Sequence, residues 1–314
     1  MDVQEKTARS LVKSLSSVSE QSRIEALCEL RLMSKYDPES RSFIADAGAV
    51  PHLIETLYSS SPLAQENAVA TILNISIANR EFLMMTPDLL DALSHLLRHP
   101  SATPISVQTA SATLYSLLID EDNRPIIGSK LDIVESLINI TRDTASPMRS
   151  IKEALKALFA ISLYPLNRSA MVELGVVAAL FSFIVKDGQV GLVEDATAVI
   201  AQVAGCCESG DAFRKVSGLT VLVDLIDPST RSSVRARENA VSALLNLVQC
   251  GGEKSVLEVK EMCLGVLDGI RDVAESGSAK GKSKGTALLK VLGGGDLDKA
   301  LKDPRFDYNL DHEP

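Results

Sequence analysis

Two histidines four residues apart, His95 and His99, would stand side by side on one helix, the spacing a zinc site uses. The glutamate of an HExxH motif is missing and no third ligand lies nearby, so the pair reads as a polar helix end before Pro100, with no metal. Cys206 and Cys207 are adjacent and cannot easily face one metal; they read as buried small hydrophobes. The run SGSAKGKS at 276–283 contains the Gly281, Lys282 and Ser283 of a phosphate loop. Ser276 stands where the first glycine belongs, however, and no buried strand precedes the run to aim backbone N–H groups at a phosphate. LGGGD at 292–296 reads as a flexible turn. No serine, cysteine or carboxylate acquires a base and an orienting partner from spacing, so no catalytic residue and no cofactor is assigned. What remains is a basic stripe, since Arg149, Lys152 and Lys156 fall at i, i+3 and i+7 on one helix face. It could dock an acidic or phosphorylated segment through charge-assisted hydrogen bonds, or be a solvated face partly neutralised by Glu153 and Glu194.

The elements that must position such a stripe repeat. LAQENAVATILNISI (63–77) is echoed by RARENAVSALLNLV (235–248). The alanine of ENA marks a series: Ala26, Ala68, Ala110, Ala154, Ala196 and Ala240. A period in the low forties is the length of armadillo or HEAT units, each two or three helices long. Apolar spacing at Ala68, Ile72 and Ile75, and again at Ala240, Leu244 and Leu247, predicts helices, with the alanines as packing points where helices approach closely. Asn79-Arg80, Asn123-Arg124 and Asn167-Arg168 recur as a polar break after the marked helix, and a second apolar helix follows each break. Breakers separate the units at SSSP (59–62), HPSATP (99–104), TASP (144–147), KDG (186–188) and DPST (227–230).

The expected architecture is all-α: a solenoid of about six stacked armadillo or HEAT units with terminal capping helices. The expected boundaries are a capping helix in 1–18, with Leu11, Leu15 and Val18 on one side, and repeats at 19–62, 63–103, 104–147, 148–188, 189–230 and 231–274. A basic linker and closing helix follow in 275–302, and an aperiodic acidic tail in 303–314.

Composition narrows the function classes. Of 314 residues, 41 are acidic and 32 basic, so the formal charge of −9 opposes phosphate backbones and argues against general nucleic-acid binding. Five cysteines, an odd number without a CxxC pair, and an N-terminus without a secretory apolar run point to a reducing compartment, the cytosol or nucleus. No stretch is long and apolar enough to predict membrane insertion.

Residues 29–77, ELRLMSKYDPESRSFIADAGAVPHLIETLYSSSPLAQENAVATILNISI, closely resemble the armadillo repeats of plant U-box ubiquitin ligases. SGSAKGKSKGTALLKVL (276–292) resembles the basic linker and closing helix that end those repeat domains. The resemblance implies a right-handed armadillo-repeat α-solenoid, a superhelix of about six repeats with terminal capping helices, and a protein-recognition module that engages ubiquitination substrates or the cytoplasmic part of receptor-like kinases, while a separate U-box recruits the conjugating enzyme. Fewer than twenty residues precede the first unit, which leaves no room for a U-box, so the expectation is the binding half alone, a monomeric non-enzymatic scaffold. A ubiquitin-ligase component whose U-box comes from another chain is the second reading.

In armadillo stacks the marked helix lines a concave groove. Helical spacing then places Glu66, Ala70 and Asn74 on that face, followed by Gln108, Ala112 and Ser116; Lys152, Lys156 and Ala160; Glu194, Ala198 and Gln202; and Glu238, Ser242 and Asn246. The chain has no tryptophan, so the aromatic walls that hold lysine stems in import-signal carriers are missing and a basic import peptide is a poor ligand. Asn74 and Asn246 could pair with the backbone of an extended peptide, or Asn74 could bond a neighbouring loop.

Overall fold

The computed structural model describes residues 3–187 and 189–293. No strand occurs among them. A first helix, α1 (Val3–Leu15), precedes a three-helix pattern that recurs. Its members are α2 (Glu20–Tyr36), α3 (Ser40–Asp46) and α4 (Ala49–Thr56), then α5 (Pro62–Ala78), α6 (Arg80–Met85) and α7 (Leu89–Arg98). The third repeat holds α8 (Pro104–Leu118), α9 (Asn123–Gly128) and α10 (Leu131–Arg142). The fourth holds α11 (Met148–Ser162), α12 (Asn167–Glu173) and α13 (Val176–Asp187), and the fifth α14 (Val190–Val203), α15 (Ser209–Lys215) and α16 (Gly218–Ile226). The series closes with α17 (Val234–Cys263), α18 (Leu267–Ser276) and α19 (Ala279–Leu292).

The chain divides into two compact units, residues 1–161 and 162–314. In the first, the long helices stack in series, α2 on α5 and α5 on α8. The Ser150 hydroxyl at the start of α11 reaches the Pro104 carbonyl at 3.4 Å, which sets α11 beside α8. In the second, α14 packs on α17 and α17 on α19. Each marked alanine is at a contact. Ala26 is 3 % exposed, and Ala68, Ala110, Ala154, Ala196 and Ala240 are 0 % exposed. A methyl group is all that fits where a helix is flanked closely by its predecessor and successor.

The predicted breakers act as caps. The Ser61 hydroxyl accepts from the Ala64 N–H with Pro62 in the first turn of α5, and Thr103 accepts from the Ser106 N–H with Pro104 opening α8. Between the short and second helices the chain turns through the left-handed region, at Gly48 (φ 84°) and Gly175 (φ 82°). Only glycine adopts this without a steric cost. Asp88 and Ser217 make the corresponding turn in their repeats despite carrying a Cβ.

Four expectations need correction. The Asn-Arg breaks are the start of a short helix of their own, because the pair satisfies the carbonyls left open by the preceding helix: Asn123 Nδ2 donates to Leu117 O at 2.9 Å and Arg168 Nε to Ser162 O at 2.8 Å. The opening helix buries Ala8, Val12 and Leu15, whereas Val18 is 99 % exposed, because α1 ends at Leu15 and Val18 lies in the loop to α2. Residues 279–285, read as linker, are the first turns of α19. Their glycines are points of close approach: a Cβ at Gly281 would stand 2.6 Å from Glu238 Cδ, and one at Gly285 3.0 Å from the Ala274 nitrogen. Finally, Cys207 is exposed while Cys206 is buried, so only one of the adjacent thiols packs inside. In the last repeat the long helix runs on without a break, so α17 spans 30 residues. The acidic tail 303–314 and the Gly-rich turn beyond residue 293 lie outside the described residues.

Candidate functional site

The groove residues named from spacing lie on the long helices, and several of them hold one long helix to the next. In the first unit Glu66 Oε1 accepts from Thr103 Oγ1 at 2.6 Å, so the glutamate of α5 meets the capping threonine of α8. Its neighbour Asn67 looks the other way, accepting from Arg31 Nη1 of α2 at 3.1 Å. Asn74 Nδ2 donates to Ser34 Oγ of α2 at 3.0 Å. Ser116 is 7 % exposed and accepts from Ser76 Oγ at 2.8 Å, which withdraws it from any groove. Gln108, Ala70 and Ala112 are half-buried.

The second unit repeats the scheme. Glu238 Oε1 accepts from the Ser278 N–H at 2.5 Å and its Oε2 from the Ser278 hydroxyl at 2.8 Å, so the glutamate of α17 grips the residue that caps α19. Asn239 Nδ2 donates back to Glu194 O and Thr197 Oγ1 of α14, both at 3.1 Å. Asn246 Nδ2 donates to Ala201 O at 2.7 Å. The two copies of ENA are therefore a two-way clamp, the glutamate reaching forward to the next helix cap and the asparagine back to the previous helix. The recurrence follows from stacking, since each rung has to hold two similar neighbours. Gln202 Oε1 accepts from Arg168 Nη2 at 3.1 Å, and Ala198 is half-buried.

On α11 the basic stripe divides. The side chains of Arg149 and Lys152 are exposed and form no hydrogen bond or ion pair among the described residues. Lys156 pairs with Glu153 at 2.9 Å and lies 5.6 Å from the centre of the Tyr115 ring, a cation–π distance. Ala160 is buried. Sequence spacing missed Tyr115, Arg168 and Lys284. Tyr115 and Arg168 were visible only as a neighbour of Ser116 and as half of a recurring pair, and Lys284 only as part of a basic run.

The other chemistry-bearing residues are accounted for by packing. His95 stacks between Tyr58 and His99, with ring centres 4.7 and 5.1 Å away, and burial together with His99 lowers its proton affinity. Among the described residues no cluster of His, Cys, Asp and Glu could hold a metal ion. Burial raises the Cys206 thiol to about 11, helped by its hydrogen bond to Glu208, and raises Cys250 to about 12. Thiols held protonated in this way are poor nucleophiles at neutral pH. No single helix among the described residues is long and apolar enough to cross a membrane.

Stacked three-helix rungs, clamped through their long helices and presenting polar faces, define an armadillo-type α-solenoid. The chain belongs to the plant U-box protein ARM repeat region family, whose model matches residues 7–294. It is 31% identical over 267 residues to U-box domain-containing protein 16 of Arabidopsis thaliana, covering 84% of this chain and 38% of that protein. It is 30% identical over 303 residues to U-box domain-containing protein 4 of Oryza sativa subsp. japonica, covering 96% and 40%. The chain thus spans about two fifths of the length of these relatives. Among solved structures, one described as a conserved phosphorylation switch controlling the interaction between cadherin and β-catenin matches with a TM-score of 0.75 at 18% identity, over 96% of this chain and 58% of that one. A designed armadillo repeat protein matches with a TM-score of 0.51 at 21% identity, over 91% and 99%. These two likenesses carry the fold and nothing further.

Proposed function

We propose that this chain is a protein-binding scaffold and that the face of α11 receives an acidic or phosphorylated segment of a partner in plant ubiquitin-linked or receptor-kinase signalling, in the cytosol or nucleus. The observation that carries the reading is the pair Arg149 and Lys152, exposed cations without a counter-ion on a chain of net charge −9. In such a field isolated cations attract local anions while the remaining surface repels them. Lys156 over Tyr115 adds an aromatic edge to the same patch. A phosphate or carboxylate entering here gains charge-assisted hydrogen bonds from side chains that have none to give up.

The double variant Lys152→Glu/Lys156→Glu is expected to weaken binding of a fluorescent phosphoserine- and glutamate-containing peptide severalfold, read by anisotropy. Unchanged affinity would reject the α11 site. The U-box named in the relatives favours a second reading, a ubiquitin-ligase component that recognises substrate while another chain supplies the U-box. With purified chain, ubiquitin, activating and conjugating enzymes and ATP, the scaffold reading expects no ubiquitin ladder; a ladder would overturn it.

A further inference from the structure

A second cationic cluster lies in the unit formed by residues 162–314, on the face marked by Glu238, Ser242 and Asn246 of α17. Arg168 is 9 % exposed, its Nε held by the Ser162 carbonyl and its Nη2 by Gln202. Its Nη1 points beside Gly205, where a Cβ would stand 3.0 Å from that nitrogen and 3.8 Å from Asn246 Nδ2. Two donors thus flank the gap left by a half-buried glycine, with the Gln202 carbonyl oxygen 3.3 Å from the same point. One turn back along α17, Ser242 accepts from the Lys284 ammonium of α19. Among the described residues neither Arg168 nor Lys284 has a carboxylate partner. Glu238, the acid on the same face of α17, has both oxygens engaged by Ser278.

Half-buried cations are ordinarily paired, because a charge removed from water without a counter-ion is unfavourable. Here burial, with Lys280 and Arg168 acting in the same direction, lowers the Lys284 ammonium to about 8. Its partner among the described residues is the Ser242 hydroxyl, which brings no negative charge. An anion seated between the two cations would.

We propose that the face carrying Arg168, Asn246 and Lys284 is a docking subsite for the carboxylate of an aspartate or glutamate in an extended protein segment. The subsite rests on the protein-binding reading above and adds a contact in the second unit. Nη1 of the guanidinium is uncommitted, and with the second N–H of Asn246 and the Lys284 ammonium it makes three donors, which the two oxygens of a carboxylate can accept in full. One oxygen would take Arg168 and the second N–H of Asn246, the other Lys284.

The test uses the full chain and a fluorescein-labelled hexaglutamate peptide. Lys284→Met, which keeps the aliphatic stem, should weaken binding severalfold; Lys284→Arg should largely preserve it, and Lys282→Met, at an exposed position of the same helix, should leave it unchanged. On the unmutated protein, NMR of the lysine side chains should show Lys284 titrating near 8 alone and moving up towards the ordinary lysine range with saturating peptide. This readout stands even if Lys284→Met fails to fold. Equal losses from Lys282→Met and Lys284→Met, or a Lys284 titration that peptide leaves unmoved, would overturn the proposal. So would inorganic phosphate moving that titration further than the peptide at matched ionic strength. In the Lys152→Glu/Lys156→Glu background the Lys284 shift should persist, so loss of the α11 site and loss of this subsite are read separately.

Discussion

Phe213→Ala is expected to lower stability by about 3–5 kcal/mol, the range for truncating a fully buried aromatic ring. Phe213 is 1 % exposed and meets Phe181 edge-on, with ring centres 5.4 Å apart and planes at 81°. The contact exists because Gly218, opening α16, has no side chain: a Cβ there would stand 2.8 Å from Phe181 Cε2 and 3.2 Å from Phe213 Cδ1. A backbone, two rings and the start of a helix are therefore packed together, and removing one ring leaves a hole that its rigid neighbours cannot close. Urea unfolding followed by far-UV circular dichroism should show an early, separate step, since rungs of a repeat protein are stabilised mainly by their nearest neighbours. A loss below about 1 kcal/mol would mean that the site collapses around the deletion, contrary to this packing.

Ala68→Leu should destabilise by about 1–3 kcal/mol for the opposite reason, too much volume in place of too little. Ala68 is 0 % exposed on α5, which is flanked by α2 on one side and α8 on the other. A leucine side chain forces the helices apart, and with them the Glu66–Thr103 and Asn74–Ser34 bonds that join them. Ala70, two residues on and half-buried, is the control: Ala70→Leu should stay within about 0.5 kcal/mol. Thermal unfolding of the two variants side by side checks the assignment of faces. A neutral Ala68→Leu beside a damaging Ala70→Leu would turn α5 around.

The sequence by itself determined what depends on local spacing. The period of the marked alanines, the three-and-four pattern on the long helices and the breakers SSSP and HPSATP, whose Ser61 and Thr103 cap α5 and α8 in the structure, all act within a few residues, so reading along the chain finds them. Spacing also put Glu66 with Asn74 on one face of α5, and Glu238 with Asn246 on one face of α17. What each of them touches was settled only by tertiary structure, because Thr103, Ser34, Ser278 and Ala201 lie 37, 40, 40 and 45 residues away. The same limit hid Lys284. Glycine and lysine next to serine read as a linker, yet Gly281 and Gly285 are small so that α19 can lie against Glu238 and Ala274, which brings that lysine onto Ser242 of α17. Helical periodicity fixes the direction in which a side chain leaves its helix; what it meets depends on the rung stacked against it.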